Sequence, residues 1–433
     1  MVKTYIVLLL ILISGTVRAQ FLMDMIDTTS EIGRSILSVS KRFDNIRIGG
    51  YIQPQFQLAQ SKGVKSFNGG DFLPNVNNRM MLRRGRIRFD YIHFNTDNKV
   101  SVQFVYQFDG TERGVFIRDF WGRLFENRFK LFSFTTGMFA RPFSYELNLS
   151  SSDRESPERG RMSQILMKTE RDLGAMISFD PRKKDHPLKY LKIDAGLFNG
   201  PGLSAPADYD SHKDFISRIA LKPFPLTKKM FLSMAVSYLD GGILQNTKYI
   251  YQLRNGVNGK NFEVDSSLSN VGKIAPRKYY GGDIQLKIKN RFGFTELRAE
   301  YMTGKQTAFA NTSETPAAIP SDISGALYTR KFNGAYFYFL ENIFNMKHQI
   351  GIKYDWYDPN TEIKGNEIGK AGTKTTEANI KYSTFSFGYI HFINETVKLV
   401  LWYDIISNEK TLLPGYTHDI KDNIFTCRLQ FRF

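Results

Sequence analysis

From residue 46 onward the chain repeats one unit. Roughly ten residues of alternating character are followed by a connection, and the connections alternate short and long. Val100, Val102, Phe104, Tyr106 and Phe108 share one face of such a segment, opposite Ser101, Gln103, Gln107 and Asp109. Leu297, Ala299 and Tyr301 stand in the same way against Glu296, Arg298 and Glu300. Successive side chains of a strand point to opposite faces, so each segment is a strand with one apolar and one charged side. No soluble core can bury that much charge unpaired.

Strands are expected near 46–60, 79–94, 99–108, 115–125, 130–140, 172–180, 190–198, 213–222, 230–240, 279–290, 294–303, 331–342, 347–357, 379–393, 396–406 and 421–433. That makes about sixteen, an even number. Proline is excluded from central strands, and of the fifteen prolines only Pro54 falls inside a proposed one. Short connections include NTDN at 95–98, NRFG at 290–293 and Asn394-Glu395; long ones cover 61–78, 141–171, 241–278, 304–330 and 358–378. A soluble sandwich has no reason to keep its short turns at one end, whereas a barrel inserted from the periplasm does. The expected fold is all-β: a transmembrane antiparallel β-barrel whose apolar face meets lipid.

The ends agree. MVKTYIVLLLILISGTVRAQ has a basic Lys3, an apolar run too short to span a bilayer and a small-residue exit, so 1–19 reads as a signal peptide. Residues 20–45 read as a periplasmic leader, in which Thr28 and Glu31 have capping-box spacing for a short helix; a disordered leader fits equally. The barrel then occupies 46–433. Its last strand, NIFTCRLQFRF, places Phe425, Cys427, Leu429, Phe431 and Phe433 on one face and ends on an aromatic residue, as outer-membrane barrels commonly do. Localisation in the outer membrane of a Gram-negative bacterium follows.

The charge balance is basic, 59 Lys and Arg against 42 Asp and Glu, which implies an anionic partner. Export makes nucleic acid a poor candidate. The stretch LRRGRIRFDY puts Arg84, Arg86 and Arg88 on alternate positions, with Ile87, Phe89 and Tyr91 between them. If the apolar set faces lipid, the three arginines face the lumen. They either pair with lumen carboxylates such as Asp90 or conduct anions, and three on one strand exceed what Asp90 neutralises.

The stretch IRDFWGRLF through TGMFARPFSYELNLSSSDRESPERGRMSQILMKTERDLGAMISFD resembles the phosphate-selective porins of the O and P family. The resemblance is carried by Arg118-Asp119, by Gly137, Phe139, Pro142, Phe143, Ser144 and Glu146, and by Arg171-Asp172 with Gly174, and it is specific over residues 115–180. It implies a homotrimeric sixteen-stranded outer-membrane porin with an inward-folded loop and basic residues along the pore. The 141–171 connection is then the constriction loop, adding Arg141, Arg159, Arg161 and Arg171 to the anion-binding candidates. Its acids, among them Glu146, Asp153, Glu155, Glu158 and Glu170, nearly balance its bases, which favours general anion preference over strict phosphate selectivity.

The expected function is a passive diffusion pore for small inorganic anions such as phosphate, without cofactor, in contact with outer-membrane lipid. A surface binding or nutrient-uptake barrel acting through its long loops is the alternative. An outer-membrane hydrolase is disfavoured because no nucleophile can be paired with a histidine. The six histidines have no metal-ligand spacing, and lone Cys427 excludes an intramolecular disulfide.

Overall fold

The structure is a computed structural model that describes residues 45–433 apart from 98, 257–258 and 320–322; the expected signal peptide, and all of the expected leader but Asn45, lie outside the described residues. The elements run β1 (Ile46–Ala59), β2 (Asn78–Phe94), β3 (Val100–Thr111), β4 (Gly114–Phe125), β5 (Phe132–Ala140), α1 (Tyr145–Asn148), α2 (Arg161–Leu166), β6 (Arg171–Phe179), β7 (Leu191–Phe198), β8 (Asp214–Pro225), β9 (Met230–Leu244), β10 (Ile250–Gly256), β11 (Gly259–Asp265), β12 (Ile274–Asn290), β13 (Gly293–Ala308), β14 (Leu327–Asn342), β15 (His348–Asp358), β16 (Tyr382–Phe392), β17 (Val397–Asn408) and β18 (Ile424–Arg432). The hairpin β10–β11 is not part of the wall: β9 pairs directly with β12, while β10 adds in parallel to β14 at Ile250↔Leu327. The remaining sixteen strands form one antiparallel cycle that β1 closes on β18, with Gln55 opposite Arg428. A closed cycle leaves no unpaired strand edge, which a lipid-embedded sheet requires.

The apolar faces point outward. Ile87 and Phe89 are 44% and 36% exposed while Arg84 and Arg86, on the opposite face of the same strand, are 7% and 5% exposed. Likewise Leu297 and Tyr301 are exposed and Glu296, Arg298 and Glu300 are buried. At the seam the C-terminal Phe433 exchanges backbone hydrogen bonds with Gly50. A Cβ at Gly50 would stand 2.3 Å from the Arg86 carbonyl oxygen and 2.6 Å from the Phe433 ring, so glycine is what admits this closure.

Two departures from the expected pattern matter. The connections do not alternate strictly: β3 and β4 are joined on the long-loop side by Glu112-Arg113 alone, and the opposite turn at 180–190 is longer than its neighbours. The wall is also uneven. Strands β12, β13 and β14 have 17, 16 and 16 residues, against 9, 9 and 8 in β5, β6 and β7. The rim therefore stands high where β10–β11 docks and low over β5 to β7. The longer strands take in Pro225 and Pro276 near their ends, where a missing N–H costs little.

Candidate functional site

The segment 141–170 folds into the barrel. Phe143, Leu147, Met162, Ile165, Leu166 and Met167 form one buried cluster with inward side chains of the wall, among them Tyr279, Met302, Phe332, Leu340 and Trp402. Fully burying a large apolar side chain stabilises by roughly 1.5–3 kcal/mol. Six such side chains outweigh what ion pairs add net, so apolar packing holds the loop against β8–β17. Within the loop the Glu146 carboxylate accepts from Gly160 N–H at 3.0 Å and from Ser163 Oγ at 2.7 Å, tying the start of α2 to α1.

The loop's polar edge crosses to β1, β2, β17 and β18. Tyr51 Oη lies 2.7 Å from Ser151 Oγ, and Lys398 Nζ donates to the Ser152 carbonyl at 2.7 Å. Glu158 is the main anchor. Arg83 Nε reaches it at 2.9 Å, Arg84 Nη2 at 2.7 Å and Arg428 Nη2 at 2.8 Å. Burial alone would raise this carboxyl, and the three guanidiniums more than offset that, holding it well below the usual range.

Arg83 joins Arg84 in the lumen because of a β-bulge. The β1–β2 register slips between Ile52 and Pro54, so β2 carries an extra residue there. Proline cannot donate to the ladder and sits comfortably at such a slip. A second slip, between Gln107 and Phe108, places Arg118 beside Asp119 on the inner face of β4.

Arg118 meets Glu170 at 2.8 Å and Asp109 at 3.6 Å; Arg171 meets Asp119 at 3.1 Å and Glu170 at 3.4 Å; Arg86 meets Asp109 at 2.8 Å. Arg159 also lies 3.4 Å from Glu170. Glu158 and Glu170 are thus each shared by three arginines. Arg88 is held bidentately by Asp90 at 2.6 and 2.8 Å and is the most exposed of the ladder.

Two cavities open on these side chains. One of about 300 Å³, toward the long loops, is lined by Arg83, Arg84, Arg159 and Lys168 with Asp109, Glu158 and Glu170. The other, of about 460 Å³ toward the short turns, is lined by Arg47, Arg88, Arg154 and Arg432 with Asp90 and Asp153. Arg86, Arg118 and Arg171 line both. They mark where an outer and an inner chamber meet. Eleven cationic side chains face the two chambers against five carboxylates.

Among the buried arginines of the two chambers, Arg154 stands outside the pairing. It is 4% exposed, and among the described residues its Nε and Nη1 make no hydrogen bond and it forms no ion pair. Its guanidinium faces the inner chamber with capacity to spare.

Of the residues expected from sequence, Arg84, Arg86, Arg88, Arg159 and Arg171 line these chambers. Arg141 does not: it is 3% exposed and donates to the carbonyls of Gly200 and Thr169, fastening the root of the loop to its neighbour. Arg161 faces a separate cup under the outer loops. Strict alternation hides Arg83, and the bulge breaks that alternation. Arg118 stands in the stretch that carries the family resemblance, and Arg428 on the inward face of the last strand. Arg154 carries no distinguishing signal in sequence. Among the described residues no three potential metal ligands converge. His348 and His391 stack at 4.6 Å on the outer wall near the short turns.

No protein-family model matches the chain, and no characterised protein matches it in sequence. Solved structures do match. The outer membrane channel DcaP of Acinetobacter baumannii superimposes with a TM-score of 0.52 at 10% identity, covering 90% of this chain and 97% of its own. OprB of Pseudomonas putida gives 0.53 at 8% identity, covering 94% and 98%. The fold is that of a Gram-negative outer-membrane porin. At such identity the likeness carries the architecture alone.

Proposed function

We propose that the chain forms a passive, anion-preferring diffusion channel in the outer membrane of a Gram-negative bacterium, with phosphate among its solutes. The observation that supports this reading is the shared carboxylate. Two glutamates, Glu158 and Glu170, each serve three arginines, and among the described residues Arg154 forms no ion pair, so the described passage keeps a cationic surplus. Cationic walls lower the cost of bringing an anion into a narrow aqueous path, and several weak holds in series let it leave. Phosphate, with several acceptor oxygens, gains most from guanidinium donors. The resemblance over residues 115–180 supports the phosphate reading and a homotrimer.

Reconstitution into a planar bilayer under a KCl gradient tests the proposal. The reversal potential takes the sign of chloride selectivity, and phosphate added at constant chloride reduces the chloride current by competition. A cation-selective potential, or a closed barrel, refutes it.

A further inference from the structure

Away from the basic chambers, residues of the stretches 61–67, 311–314, 377–382 and 415–422 enclose a cup of about 450 Å³ on the long-loop side, floored by Arg161 and Ile165 of α2. Ligand sites span roughly 300–1,000 Å³, so this volume takes a small organic solute. None of its lining residues is shared with either chamber.

Two opposite charges face the cup, near enough to attract each other, and among the described residues neither is held in a contact ion pair. The Asp422 side chain belongs to a residue 4% exposed, and among the described residues its Oδ1 makes no hydrogen bond and the carboxylate forms no ion pair. Burial pushes this carboxyl up to about 6, against the pull of Arg161. Arg161 lies with its guanidinium 3.5 Å over the Tyr382 ring and 4.7 Å from that of Phe67, and it too pairs with no carboxylate among the described residues. The other charges at the wall are matched or wet. Lys65 meets Glu377, which also accepts from Tyr416 Oη at 2.8 Å; Glu314 meets Lys168; Lys62 is exposed to solvent.

A charge taken out of water without a counter-charge is costly, and a ligand that brings both missing partners relieves two such costs together. A polyol offers hydrogen bonds but neutralises neither charge. An inorganic anion satisfies Arg161 and is repelled by Asp422. We propose that this cup captures a small zwitterion, an amino acid or short peptide, whose ammonium pairs with Asp422 and whose carboxylate is received by Arg161. The guanidinium meets no carboxylate among the described residues, and the two aromatic faces fix its plane for the incoming one.

Titration of glycylglycine into the detergent-solubilised full-length barrel, followed by calorimetry, tests this. Binding is expected, with Asp422→Asn weakening it about tenfold or more, as loss of a charged hydrogen-bond partner implies. Acetate, ethylammonium and glucose, each tried alone, should not displace the dipeptide. Asp422 lies outside the chambers, so the variant should keep the wild-type reversal potential, which separates this site from the proposed anion passage. Absence of glycylglycine binding to the wild-type protein overturns the proposal. So does equal binding by Asp422→Asn, or glucose binding that this substitution abolishes. Should the variant not assemble, the wild-type protein still decides: displacement of glycylglycine by acetate or ethylammonium alone overturns the proposal, and resistance to both supports it.

Discussion

Replacing Arg154 with Gln separates a structural arginine from one that holds a solute. A structural arginine earns its burial through partners; Arg154 is 4% exposed and its Nε and Nη1 have none among the described residues. Removing it should therefore leave the barrel at least as resistant to heat, because an unsatisfied buried donor pair costs about 1–3 kcal/mol that the variant no longer bears. Its effect on anions has the opposite sign. At 4 Å a unit charge attracts another by about 1 kcal/mol at the dielectric constant of bulk water and about 4 kcal/mol at an effective value near 20. Even the lower figure is about fivefold in local anion concentration. The assay pairs reversal potential under a KCl gradient with the temperature at which the folded gel band is lost. We expect a smaller chloride preference and an unchanged or higher temperature. An unchanged reversal potential together with a lower temperature would show that Arg154 is structural, and the argument from unpaired charge would fail.

Four further outcomes follow from the geometry. Ile87→Arg with Phe89→Arg should impair assembly, since an arginine facing lipid near the midplane costs about 2–4 kcal/mol each; normal yield of the folded band would invert the assigned facing. Glu158→Gln strips Arg83, Arg84 and Arg428 of their shared carboxylate, and breaking a buried pair costs about 3–5 kcal/mol, so single-channel current should become larger and noisier. Because that carboxyl sits well below the ordinary 4.5, its contribution is complete above that value and is lost only as pH falls through the lower folded one. Wild-type conductance should stay level from neutral pH down to 4.5, and loosening within that interval would contradict the three-arginine latch. Boiled and unboiled samples should migrate differently on a gel, as a closed cycle without edges demands; identical migration would rule out the barrel.

The wall was legible because each rule it obeys is local. A period of two marks the strands, proline marks where they end, and the lipid-facing side must be apolar along its whole length. The β1–β18 seam was foreshadowed by the aromatic last strand. Ion pairing was legible only where it is local, as between Arg88 and Asp90, because partners such as Glu158 and Arg428 lie 270 positions apart. Sequence offered Asp90 as an example of a pairing carboxylate, while Arg84 and Arg86 are served by Glu158 and Asp109. Each ladder arginine has a partner, so the ladder alone does not make the passage cationic; the surplus comes from sharing.

Alternation also fails where it matters most, and for one reason. A lumen filled only with water needs polar side chains all round, but this lumen seats a loop, and the loop needs an apolar surface to sit on. Tyr279, Met302, Phe332, Leu340 and Trp402 point inward at positions where the pattern expects polarity. Their presence pushes the loop onto one side and leaves the opposite wall, β1 to β6, to line the open path. The two bulges then crowd extra arginines onto that wall, since each extra residue turns Arg83 or Arg118 inward beside a neighbour that already faces in. Excess positive charge in the passage is therefore a consequence of backbone register as much as of composition. Deleting Arg83 would restore plain alternation at Pro54 and remove one of the three arginines on Glu158, lowering anion preference without touching the arginines at 84, 86 and 88.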